Sequence, residues 1–137
     1  MAPAAYRVAR RRRKTDDTWT LELEGPPLEI EPGQFTMLYV FGVGEVPISV
    51  SGDLTRPGAL VQTIRSVGAV TQALCSMRAG DVVGVRGPMG NAWPVEEAAG
   101  GDVVIVAGGV GLAPVRPAFY HVLAHRDRYR RVALLVN

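Results

Sequence analysis

From Asp102 the chain reads Val103-Val104-Ile105-Val106-Ala107 and then Gly108-Gly109-Val110-Gly111. A short, uninterrupted, β-branched run of this kind is expected to form a strand buried on both faces. Glycines placed directly behind it allow a tight passage into a helix, here predicted from about Ala113 to His125. Pro114 suits the first turn of that helix, where its missing N–H has no partner to lose. A second apolar run, Val132 to Val136, follows. Strand, glycine loop, helix and strand make a βαβ unit, which fixes parallel pairing and opens a doubly wound α/β sheet.

The preceding hundred residues follow another pattern. Tyr6 to Lys14 and Thr18 to Glu24 read as an antiparallel pair around Asp16-Asp17, the second alternating with period two. Gly25-Pro26-Pro27 and Pro32-Gly33 interrupt the chain, and Phe35 to Phe41, Ile48 to Ser51, Ala59 to Arg65 and Val82 to Arg86 read as further strands. Six short strands with such frequent turns predict an all-β, six-stranded antiparallel barrel. It carries one short helix, Val70 to Arg78, closed by Gly80. The change near Glu96-Glu97-Ala98-Ala99-Gly100-Gly101 divides the chain into a barrel domain, 1–99, and the first part of an α/β domain, 100–137.

Charge narrows the function. Residues 1–14 carry six basic groups and no acid, whereas residues 15–125 carry five Arg against twelve Asp/Glu. A nucleic-acid site would rest on Arg10 to Lys14, but cations on a strand alternate between its faces, and the acidic middle would repel a phosphate backbone. No nucleic-acid partner is expected. No apolar run approaches the ~20 residues of a membrane span, and Thr15-Asp16-Asp17 stands where an export signal would need an apolar stretch. A lone cysteine excludes a disulfide framework, so a cytoplasmic location is expected. His121 and His125 stand four apart with no further ligand or Glu beside them, and read as a solvated helix face; no metal site is expected. Cys75 reads as a core residue. No Gly-x-Ser-x-Gly elbow supports a catalytic triad, and Trp19 and Trp93 read as core or interdomain packing.

Four segments in order, Gly33-Gln34-Phe35, Pro47-Ile48-Ser49, Gly87-Pro88-Met89-Gly90 and Gly108-Gly109-Val110-Gly111-Leu112-Ala113-Pro114, resemble the ferredoxin–NADP reductase superfamily. Their wording is most similar to its electron-transfer subunits, the gamma subunits of nickel–iron hydrogenases and sulfhydrogenases and the electron-transfer subunit of dihydroorotate dehydrogenase. The resemblance covers essentially the whole chain. It implies FAD on the barrel and NAD or NADP at the glycine loop.

Carried over residue by residue, the resemblance places Ser49 at the flavin N5 edge as the catalytic hydroxyl, with Pro47 and Ile48 beside it. Val46 stands where the family has arginine and carries no charge for a phosphate. The diphosphate contact therefore shifts to the strand end Thr63-Ile64-Arg65 and to the turn Gly68-Ala69-Val70-Thr71. There, Gly68, Val70 and Thr71 would supply N–H groups and a hydroxyl at a helix start. Gly108, Gly109, Val110, Gly111 and Pro114 would lie beneath the nicotinamide.

The implied activity is that of an FAD-dependent NAD(P)H oxidoreductase subunit, passing electrons to an iron–sulfur partner subunit of the hydrogenase type. Two other readings stay open: the same module in a sulfite reductase or dihydroorotate dehydrogenase complex, and a flavin-free barrel used as a binding scaffold. The 2Fe-2S cluster of the relatives and the second half of their nicotinamide domain are expected beyond Asn137. The chain alone is thus expected to be inactive, and to self-associate through residues 102–137.

Overall fold

A computed structural model describes residues 2–137. The barrel comprises β1 (Ala4–Arg13), β2 (Thr18–Glu24), β3 (Phe35–Val40), β4 (Gly44–Ser49), β5 (Leu60–Arg65), α1 (Ala69–Cys75) and β6 (Val82–Met89). Its strands form one six-stranded antiparallel sheet in the order β4-β3-β6-β1-β2-β5. The sheet curls until its two edges meet. Val50, just past β4, bridges to Gln62 in β5, and the Ser51 N–H donates to the Val61 carbonyl at 2.9 Å. Gln62 is fully buried, and its amide donates to Thr36 Oγ1 and to the Ile48 carbonyl, both at 2.9 Å. One polar side chain thus ties the closing edges together from inside.

The alternation of β2 explains its place between β1 and β5. Leu21 and Leu23 point inward and are fully buried with Leu38, Ile64, Leu74 and Val83. Thr18 and Thr20, on the opposite face, are buried as well. In β1 the register slips between Val8 and Arg10, a bulge that lets the arginine run splay outward. Arg10 and Arg12 lie 3.7 and 4.0 Å from Glu22, and Arg13 pairs with Asp16 at 2.9 Å. Arg11 stacks 3.8 Å from the Trp19 ring centroid and donates to the Cys75 carbonyl at 2.8 Å, capping the end of α1. The four arginines are absorbed by the barrel itself.

Some boundaries differ from expectation. β4 starts at Gly44 and not at Ile48, because Gly42 (φ +78°) turns the chain straight back along β3. Pro47 sits inside it without cost to a central ladder, since β4 lies at the sheet edge. α1 ends at Cys75, short of Arg78, because Asp81 accepts the Arg78 N–H at 2.8 Å and pulls the chain into a turn. Gly80 then belongs to the entry into β6 and does not close the helix.

The remainder is the βαβ unit: β7 (Val103–Ala107), a 3₁₀ turn at Gly109–Gly111, α2 (Leu112–Ala124), a second 3₁₀ turn at Arg126–Arg128, and β8 (Val132–Val136). β7 and β8 pair in parallel, Val103 opposite Val132. α2 runs through a buried Pro117 without ending. β7 is not buried on both faces: Val103 and Ile105 lie half-buried, while Val104 and Val106 are 63 and 68 % exposed. One crossover helix can cover only one side of a two-stranded sheet.

Trp93 joins the two parts. Its backbone N–H donates to Pro32 at 2.7 Å and its indole Nε1–H to the Pro114 carbonyl at 2.9 Å. Gly33 (φ +107°) lies under it, where an added Cβ would come within 2.9 Å of the indole ring. Tyr129 donates to the Val95 carbonyl at 2.6 Å. Trp93 therefore packs between barrel and α2 on the partly exposed connecting segment. No helix among the described residues is long and apolar enough to cross a membrane.

Candidate functional site

Three of the four sequence segments converge on one strand end. Phe35 pairs with Ser49 in β4 and with Met89 in β6. The Gln34 carbonyl accepts the Val50 N–H at 3.2 Å, and the Gln34 amide donates to the Gly90 carbonyl at 3.0 Å. With Gln62 holding the Ile48 carbonyl, Ser49 is fixed from both sides and sits half-buried at the edge of the barrel. Pro47 faces outward beside it, whereas Val46 and Ile48 turn inward and pack against the barrel core. Val46 is a packing residue here.

The fourth segment meets the barrel at a different point. A cleft of about 480 Å³ is lined by Lys14, Thr15, Asp17 and Thr18 at the β1–β2 turn, by Thr63 and Arg65 of β5, and by Gly109, Val110, Leu112, Ala113 and Arg116. The glycine loop and the end of β5, forty-four residues apart in the chain from Arg65 to Gly109, thus line one cleft. Thr63 is held by hydroxyl contacts of 2.9 Å to Thr20 and to Ser51, two residues beyond Ser49. Arg65 is held by Asp17, Nε to Oδ2 at 3.2 Å. Hydrogen bonds from Thr15, Arg65 and Thr18 keep the Asp17 carboxyl below its ordinary pKa.

The turn after β5 has a more specific construction than an open helix start. The Thr71 hydroxyl accepts the N–H groups of Val67 and Gly68, each at 2.9 Å, and donates to the Gly68 carbonyl at 3.1 Å. It is buried and already engaged, so it shapes the turn from within. The N–H groups of Ala69 and Val70 remain at the first turn. A Cβ built on Gly68 or Gly109 would meet nothing within 4 Å, so both backbones are open to close approach. Of the sequence-derived candidates, Thr63, Arg65, Gly109 and Val110 share the cleft. Pro47, Ile48 and Ser49 lie at the β4 end, Ile64 in the core, and Gly68, Val70 and Thr71 at the α1 turn; Gly108, Gly111 and Pro114 flank the loop.

The sequence reading missed Lys14, Asp17 and Arg116 as cleft residues. Nothing in their local patterns marks them, because the cleft forms only where the fold sets the start of α2 across from the β1–β2 turn. His121 also differs from expectation. It is not on a solvated face: its side chain is 16 % exposed, Nε2 lies 3.3 Å from Glu96, and its ring centroid is 4.5 Å from that of His125. Burial, and then His125, lower its pKa.

No family model matches the chain. Sulfhydrogenase 1 subunit gamma of Pyrococcus furiosus is 37 % identical over 126 residues, 89 % of this chain and 43 % of that protein. A probable dihydroorotate dehydrogenase B (NAD(+)) electron transfer subunit of Methanopyrus kandleri is 40 % identical over 131 residues, covering 95 % of this chain and 46 % of the relative. The chain is a homologue of these subunits. It spans less than half the length of either. Among solved structures, an Amycolatopsis cytochrome P450 reductase superposes with a TM-score of 0.80 at 29 % identity, covering 99 % of this chain and 43 % of the reductase. The FAD/NAD binding domain of a nitric oxide dioxygenase from Vibrio cholerae, at 19 % identity, shares the fold with a TM-score of 0.83, covering 99 % of this chain and 62 % of its own. The homologues are oxidoreductase subunits, and the barrel with its short helix is the fold of ferredoxin reductase-like proteins.

Proposed function

We propose that this chain is the flavin-binding part of an electron-transfer oxidoreductase subunit that links NAD(P)H to an iron–sulfur partner, as in the hydrogenase gamma subunits. The observation that carries this reading is the meeting of Thr63 and Arg65 with the Gly109-Val110 loop in one cleft. It brings the part that would hold a flavin against the part that would hold a nicotinamide. FAD fits the residues present: Ser49 is fixed at an accessible strand end, Arg65 offers a charge, and the Gly68 backbone is open. Ser49 would place its hydroxyl at the flavin N5 edge. Arg65 and the N–H groups of the Gly68–Thr71 turn would hold the diphosphate that Val46 cannot. The open backbone at Gly109 would leave room for the nicotinamide, with Gly108, Gly111 and Pro114 shaping the loop. When bound, the flavin supplies the conversion between a two-electron hydride donor and one-electron acceptors.

A place in a dihydroorotate dehydrogenase complex is a second reading, supported by the 40 % identity to such a subunit over nearly the whole chain. In either case the iron–sulfur cluster belongs elsewhere. A 2Fe-2S cluster takes four ligands, usually cysteines, and this chain has one, Cys75, buried, with burial pushing its thiol pKa up. A single buried thiol suits the reducing cytoplasm, where we place the protein. We also divide the chain at residue 99 into a barrel domain and the start of an α/β domain, and assign the exposed β7–β8 face to self-association.

Stopped-flow mixing of the flavin-loaded chain with NADH or NADPH tests the arrangement. Hydride transfer needs the nicotinamide held at ~3–3.5 Å from its acceptor, and a two-stranded sheet gives it little support. The 137-residue chain is expected to be reduced far more slowly than the about 1–10³ s⁻¹ of whole enzymes, while dithionite reduces it fully. Enzyme-like rates with NADH or NADPH would contradict this.

A further inference from the structure

Lys14 and Arg116 come from opposite sides of the cleft, one at the end of β1 and one on α2. Among the described residues, the only carboxylate lining that cleft is Asp17. Both of its oxygens are engaged, Oδ1 by the Thr15 and Thr18 hydroxyls and Oδ2 by Arg65. Among the described residues, neither Lys14 nor Arg116 has a carboxylate within ion-pair distance. Arg116 is instead held in place by the Tyr120 hydroxyl, which accepts from Nη2 at 2.7 Å and from Nε at 3.2 Å. Desolvation at the cleft mouth, then Arg12 and Arg116, lower the pKa of the exposed Lys14. Two cations facing one another across an opening, with the local acid already neutralised, repel each other until an anion enters between them.

We propose that Lys14 and Arg116 grip one phosphate of the incoming pyridine dinucleotide from the two sides of the cleft, so that the bound ligand draws α2 onto the barrel. This deepens the proposed function, on which the identity of the ligand rests. The place is right: the pair shares the cleft with Gly109 and Val110, whose open backbone admits the nicotinamide end. The chemistry is right as well. A phosphate accepts charge-assisted bonds from an ammonium and a guanidinium at once, and relieves the repulsion between them. Barrel and βαβ unit then both contribute to dinucleotide affinity, and Lys14 acts as a positioning residue far in sequence from the glycine loop.

The test uses the flavin-free 137-residue chain with inorganic pyrophosphate as probe, followed by amide NMR shifts and calorimetry. Saturable binding is expected, with shifts at Val110 and at Lys14 and with affinity falling as salt rises. Lys14→Gln and Arg116→Gln should each weaken binding about tenfold, the loss of one charge-assisted contact. Lys14→Arg should restore most of it, and Arg128→Gln, outside the cleft, should change nothing. Anion binding raises the Lys14 pKa, so proton uptake should accompany binding at alkaline pH and vanish in Lys14→Gln. NADH or NADPH should displace the probe. Equal affinity in wild type, Lys14→Gln and Arg116→Gln would overturn the proposal. So would displacement by FMN or FAD but not by NADH or NADPH, which would give the pair to the flavin. Because the readout needs no flavin, a chain that binds FAD but not pyrophosphate defeats this inference alone.

Discussion

The 137-residue chain is expected to self-associate in a concentration-dependent way, and Val106→Lys is expected to return it to monomer. α2 lies on one side of the β7–β8 ladder, and the other side presents Val104 and Val106 opposite Ala133 and Leu135. Val104, Val106, Leu135 and Val136 are all more than half exposed. About 400 Å² of apolar surface left in water corresponds to ~10 kcal/mol at 25 cal/mol/Å², comparable to the stability of a whole domain. Association recovers only part of this after the loss of free motion, but the driving force is large. Two strands with unpaired outer edges add hydrogen-bonding capacity to the same surface. A lysine at 106 places a charge from each copy into the contact and opposes it with a desolvation cost. Sedimentation across a concentration series checks this, with a variant ending at Gly100 as a monomeric control. A monomeric long chain whose residues 102–137 resist protease would show that the face is stable without a partner.

Arg65→Ala is expected to lower FAD affinity about ten- to a hundredfold and Arg56→Ala to leave it unchanged. Arg65 is the cation that the β5 end carries into the cleft, and Val46 leaves no arginine at the neighbouring β4 position. Losing a charge-assisted bond to phosphate typically costs ~1.5–3 kcal/mol. Arg56 is a fair control: it is exposed, lies 3.6 Å from Asp53 and lines a separate surface hollow. Quenching of free FAD fluorescence on titration with each variant gives the ratio. Equal affinities for wild type and Arg65→Ala would remove Arg65 from the site.

Where pattern and local chemistry agree, the sequence was legible. The period-two run Thr18 to Glu24 became β2, and β-branched runs on either side of a glycine loop and helix became the parallel β7–β8 pair. The four segments that carry the family resemblance could be read because each is local; the structure adds that Gln34 physically links three of them. What stayed hidden depends on contacts between distant residues. Asp17 reads as a turn residue, yet it holds Arg65, forty-eight positions later. Lys14 stands in sequence as one of a run of strand-end cations, and nothing local marks Arg116; only the fold puts the two in one cleft. His121 read as exposed because helical spacing alone does not show that Glu96, on the connecting segment, folds over it. The both-faces-buried reading of β7 failed for a related reason: apolar composition reports what a strand is suited to, and the cover here extends over one face only.

The proposed function requires the barrel to hold a flavin although Val46 packs inward and offers no charge. The visible spectrum of the purified chain after incubation with FAD and removal of free ligand tests this most directly. Flavin bands at about 370 and 450 nm, at close to one flavin per chain, are expected. A colourless protein with its barrel intact by circular dichroism would contradict the proposed function, and would favour the flavin-free scaffold.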